Sequence, residues 1–142
     1  MKTCKFYLTA ALVLFFAGNI YSQNGWGPGS SYNSMYDTKT VETISGSVIS
    51  VQQILPDKNM SSGIHLLLVT ENGSVSVHLG PAWYIDNQDT QIRNGDNVLI
   101  TGSKVTYNGD QVIIAREVTK GDQVLKLRED NGYPLWSGWR SR

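Results

Sequence analysis

The sequence predicts an all-β domain, a small barrel of five to six strands. Three observations predict it. Runs rich in β-branched residues recur from Val41 onward, bounded by Gly, Asn and Asp. Two Asn-Gly pairs, Asn72-Gly73 and Asn108-Gly109, separate apolar runs and signal tight hairpins. No window shows a sustained helical period.

Elements follow in order. Met1-Lys2-Thr3-Cys4-Lys5 is a short basic start, and Phe6 to Ala17 is apolar apart from Thr9. That run is short for a membrane span, so residues 1–22 read as a signal peptide cleaved near Ser22-Gln23. Export to a bacterial periplasm or the medium is the expectation. Cys4, the single cysteine, precedes the apolar run, so it is not a lipoprotein acylation site. The mature chain then has no thiol, which excludes disulfides, thiolate zinc sites and c-type haem attachment, and fits a periplasm. Residues 23–39 are rich in Gly, Ser and Asn and read as a flexible arm.

The barrel domain is expected over residues 40–128. Val41 to Ile54 is a strand whose interior Gly46 marks a bend or bulge. Pro56-Asp57-Lys58-Asn59 and Ser61-Ser62-Gly63 form a loop. The runs from Gly63 to Glu71 and from Ser74 to Pro81 form a hairpin about Asn72-Gly73, with Leu67 expected opposite His78 and His65 diagonal to it. A connector, Gly80 to Asn94, carries Pro81-Ala82-Trp83-Tyr84-Ile85 with one helical turn. The fourth strand is Val98 to Tyr107, the fifth Val112 to Val118 and the last Val124 to Leu127. Gly95-Asp96, Gly109-Asp110 and Gly121-Asp122 each lead into a strand, as turn residues do.

Five strands with a bent first strand and a connector before the fourth point to an OB-type barrel, with an SH3-like barrel as the alternative. Thr43-Ile44-Ser45-Gly46-Ser47-Val48 and Gly95-Asp96-Asn97-Val98-Leu99-Ile100-Thr101-Gly102-Ser103 resemble small exported bacterial OB-fold (BOF-like) proteins over roughly residues 40–118. The hairpin ending His78-Leu79-Gly80-Pro81 is similar to OB-like magnetosome-associated proteins. This chain lacks the haem motifs that some of those carry, so the resemblance implies fold and no activity.

The hairpin has two faces. Ile64, Leu66, Leu68, Val75, Val77 and Leu79 are expected inside. His65, Leu67, Val69, Ser74, Ser76 and His78 lie on the other, the usual ligand platform of an OB-type barrel. His65, Leu67, Ser76 and His78, with Trp83 and Tyr84 of the connector, are therefore candidate ligand residues. Trp83 and Tyr84 also suit a plug at the barrel end. His65 and His78 are the only histidines; they are candidate ligands for zinc or copper, or half-buried imidazoles bonded to a neighbouring loop or the tail. No resident cofactor is expected otherwise. The tail, residues 129–142, holds Trp136, Trp139 and Arg140, residue types that dominate interfaces. It either docks a partner or folds back over apolar surface.

Charge excludes one class. The chain has 12 basic and 12 acidic residues, and removing Lys2 and Lys5 leaves 10 against 12, a formal charge of −2. Nucleic-acid binding needs a basic face and is disfavoured. There is no Gly-X-Ser-X-Gly elbow and no His-Glu-X-X-His. The expected function is a non-catalytic periplasmic module that binds a small molecule, glycan or exported protein. A structural protein docking through its tail is the alternative.

Overall fold

The first strand is too long for one partner and serves two. In the computed structural model, which describes residues 25–55 and 60–138, β1 spans Val41–Ile54. Its first half, Val41 to Ser47, pairs antiparallel with β4 (Asn97–Tyr107). Its second half, Ser47 to Ile54, pairs antiparallel with β2 (Gly63–Thr70). The changeover falls beside Gly46, the glycine expected to mark a bend. A Cβ there would lie 2.3 Å from the Val69 carbonyl oxygen, so only glycine lets the two backbones approach.

β2 pairs with β3 (Gly73–Pro81), β4 with β5 (Asp110–Lys120), and β5 with the short β6 (Gln123–Lys126). A parallel pairing of Ser76–His78 with Val112–Ile114 joins β3 to β5. Strands β1, β2, β3, β5 and β4 thereby form a hydrogen-bonded ring, the barrel-like all-β arrangement that the sequence predicts. One turn of α-helix, α1 (Ala82–Ile85), follows β3 and buries Ala82, Tyr84 and Ile85. No helix among the described residues is long and apolar enough to cross a membrane.

Asn108 (φ 50°) and Gly109 (φ 88°) both have positive φ, as a two-residue hairpin turn requires. The β2–β3 turn differs from expectation. Its two turn residues are Glu71 and Asn72, with Thr70 opposite Gly73. The Thr70 hydroxyl accepts from the Asn72 amide (3.1 Å) and donates to the Gly73 carbonyl (2.9 Å), which fixes the reversal there. The register moves by two residues, so every side chain keeps its face. Leu67 lies opposite Ser76, and His65 directly opposite His78.

Leu66, Leu68, Val77 and Leu79 are buried as expected, and Val75 is half-buried against the same core. Leu68 is fully enclosed. Leu68→Ala should cost about 2–5 kcal/mol by chemical denaturation. A loss under about 0.5 kcal/mol would place the side chain outside the core.

The segment expected to be a flexible arm is packed instead. From Gly25 it makes turns and two short 3-10 helices, Asn33–Met35 and Thr38–Thr40, along the outside of the ring. Trp26 and Tyr32 are buried, and the Asp37 amide donates to Ser103 Oγ at 2.9 Å. Two large aromatic rings bury enough area to order a Gly- and Ser-rich segment. The tail folds back too: Leu135 N donates to Leu127 O (3.0 Å), Arg128 bridges to Pro134, and Trp136 is completely buried. The expected signal peptide, its cleavage point and the loop at 56–59 lie outside the described residues.

Candidate functional site

The two histidines meet because of the turn: the register set by Thr70 opposite Gly73 runs unbroken to His65 opposite His78, and a bulge follows that pair. Ile64 pairs with Gly80 while His65 pairs with His78, so Leu79 is an extra residue on β3. The imidazole rings stack, with centroids 3.7 Å apart and planes 8° from parallel. The outer face that holds them is roofed by the arm. Tyr32 Oη lies 2.8 Å from His78 Nδ1, and its ring runs parallel to that of His78 at 6.0 Å. Tyr107 meets both rings edge-on, at 5.3 Å from His78 and 5.8 Å from Tyr32. His65 retains 6% of its surface and His78 3%. This corrects the expectation of an open platform at the histidines: the arm covers that end.

Burial sets the chemistry of the pair. Desolvation lowers the pKa of His65 to about 4. Desolvation, followed by repulsion from His65, lowers that of His78 to about 3. Both are neutral at pH 7, and Tyr32 Oη shares one hydrogen bond with His78 Nδ1. His65 Nε2 has no hydrogen-bond partner among the described residues.

The stack also bears on the metal reading. An imidazole binds a metal in its ring plane through a lone pair. Two nearly parallel planes 3.7 Å apart share no such position, so the rings as arranged cannot chelate one zinc or copper ion. Among the described residues no group of three or more His, Cys, Asp or Glu side chains is placed to hold a metal.

The other candidates fall in separate places. Leu67 and Ser76 are half-buried on the histidine face, opposite one another. Trp83 is half-buried and Tyr84 buried on α1, where Tyr84 reaches Trp136 at 5.7 Å. Trp136 faces the protein's own interior. Its Nε1 donates to the Trp26 carbonyl at 2.8 Å, and the two indoles meet edge-to-face at 6.1 Å. Trp139 and Arg140 lie outside the described residues.

Two features escaped the sequence reading. Arg128, 3% exposed, lies with its guanidinium 4.9 Å from the Trp136 ring and 5.5 Å from the Tyr36 ring. It donates to Asn33 Oδ1 and to the Gly132 carbonyl (2.9 Å), tying arm to tail. Burial lowers its pKa to about 10, partly offset by Tyr32 and Tyr36, so it remains charged at neutral pH. The second feature is a cleft of about 800 Å³ at the far end of the ring, by the Glu71–Asn72 turn. Thr43, Ser45, Ser47, Asn97 and Thr119 give it hydroxyl and amide groups, flanked by the exposed apolar side chains of Val69 and Leu99. Alternating Ser and Thr along β1 was the available signal.

Residues 40–125 match the MamS/MamX magnetosome protein family. The chain belongs to that family. The similarity carried by His78-Leu79-Gly80-Pro81 is therefore borne out at the level of the family. No curated protein matches the chain. The family match covers all of β1 to β5, both histidines and the cleft. Tyr32, Arg128 and Trp136, which roof and clasp the histidine face, lie outside it.

Proposed function

We propose that this member of the MamS/MamX family is an exported, non-catalytic binding module of OB type. Its ligand site is the cleft between the first half of β1, the start of β4 and the β2–β3 turn. The observation that carries the reading is the composition of that cleft. It is neutral apart from Glu71, and it offers hydroxyl and amide groups on rigid strands beside two exposed apolar side chains. Strand-borne groups of this kind hold their positions well enough to orient a ligand. Ser47 Oγ donates to Asn97 Oδ1 (2.8 Å) and Thr43 Oγ1 bonds to Thr101 Oγ1 (2.9 Å), which orients the lining in advance. Groups of this kind suit an uncharged, hydroxyl-rich ligand such as a glycan. The magnetosome name of the family supplies the setting in which such a module would work.

Amide NMR titration with chito- and malto-oligosaccharides at millimolar concentration tests this. The expected result is shifts confined to residues 43–47, 69–72 and 97–99, abolished by Ser45→Trp, which fills the cleft. Shifts elsewhere, or none with either series, would sink the glycan reading.

A further inference from the structure

We propose that the arm, residues 25–40, is an acid-released strap over the outer face of β2 and β3. Contacts along its whole length hold it there, among them Arg128 donating to Asn33 Oδ1, Trp26 Nε1 donating to the Ser61 carbonyl, and Thr40 Oγ1 bonded to Ser103 Oγ. Tyr32 caps the stacked histidines, Trp26 accepts from Trp136, and Asp37 binds Ser103. The ring of strands closes through its own ladders and does not depend on the arm. Swinging the arm outward would hydrate both imidazoles without breaking a strand pairing.

The surroundings of the histidines make the strap sensitive to protons. On the arm, Tyr32 faces His78. Tyr107, at the end of β4, meets it edge-on. Ile114 of β5 and Gln52 of β1 stand opposite His78 and His65 in register. Arg128, just before the tail, acts on Tyr32 through its charge. Among the described residues no carboxylate contributes to the ionisation of either histidine. In protonated His78 both ring nitrogens donate, and Tyr32 Oη can accept from Nδ1, so that bond survives the proton. The buried charge has no such remedy. It faces a second imidazole 3.7 Å away, and no described anion balances it.

The sign follows from linkage. In the closed state both pKa values lie below the ordinary histidine value, so the open state binds more protons. Closure is at full strength above about pH 6.5 and weakens as pH falls toward about 4, by up to roughly tenfold per pH unit for each histidine. Opening uncovers His65 and His78, on the face on which a barrel of this type ordinarily binds. The arm residues that roof the face, Trp26 and Tyr32, lie outside the family match, and the face itself lies within it. This inference stands independently of what the cleft binds.

Hydrogen exchange by mass spectrometry at pH 7 and pH 5, corrected for intrinsic rates, is the test. Amides of residues 26–40 should lose protection by about 10²–10³-fold at pH 5 while β1, β4 and β5 keep theirs. His65→Leu combined with His78→Gln, which keeps a hydrogen-bonding group for Tyr32 but cannot titrate, should leave arm protection the same at both pH values. If that double variant does not fold, His65→Leu alone should reduce the acid effect to about thirtyfold. An arm equally protected at both pH values would overturn the proposal. So would an arm that opens only together with the barrel, or a variant that opens with acid as the native chain does.

Discussion

Gly102→Val is expected to prevent the ring from closing. Gly102 lies at the register shift of the β4–β5 ladder, where it pairs with Ala115. A Cβ at this position would meet the Ile114 carbonyl oxygen at 2.4 Å and Ala115 Cα at 2.8 Å. Both obstacles are backbone, so no rotamer change relieves them, and the strands would have to part. β5 is also the strand that meets β3 in parallel. A displaced β5 therefore loosens both of its seams at once. The expected loss exceeds about 4 kcal/mol, seen as absent or non-cooperative β-sheet signal in circular dichroism during urea titration. A cooperative transition weakened by less than about 1 kcal/mol would show that the two strands tolerate separation here.

Gly46 and Gly102 differ in how well they could be read. Gly46 sits inside a run of β-branched residues, and an interior glycine in such a run is by itself a signal of a bend. Gly102 sits where a strand already pauses, between Thr101 and Ser103, and the sequence does not show which strand comes so close. The hairpin faces were legible because alternation survives a register error of two residues, while the pairing itself was not. Asn-Gly pointed to one turn, and the Thr70 hydroxyl stabilises the reversal one step earlier. The roof over the histidines was illegible for a different reason. Tyr32 reaches His78 across 46 residues, Asn33 reaches Arg128 across 95, and Trp26 meets Trp136 across 110. No periodic pattern encodes such contacts. A Gly- and Ser-rich arm with scattered aromatics has the composition of a linker until its rings find a surface.

Trp136→Ala is expected to destabilise the protein by about 3–5 kcal/mol, the range for removing a fully buried large aromatic side chain. The indole fills the space above Gly80, where even a Cβ on that glycine would lie 2.8 Å from the ring. It supports Tyr84 on one side, meets Trp26 on another and lies beneath the Arg128 guanidinium. Truncation leaves a cavity, leaves the Trp26 carbonyl without its donor and strips one of two aromatic faces from a buried cation. The arm and tail should respond as one unit. Trp26→Ala and Trp136→Ala remove a shared contact, so the double variant should lose less than the two single losses added together. Urea denaturation of all four chains measures the coupling. Strict additivity would mean that arm and tail dock separately, and a Trp136→Ala chain as stable as the native one would show that the tail's residue is free for a partner after all.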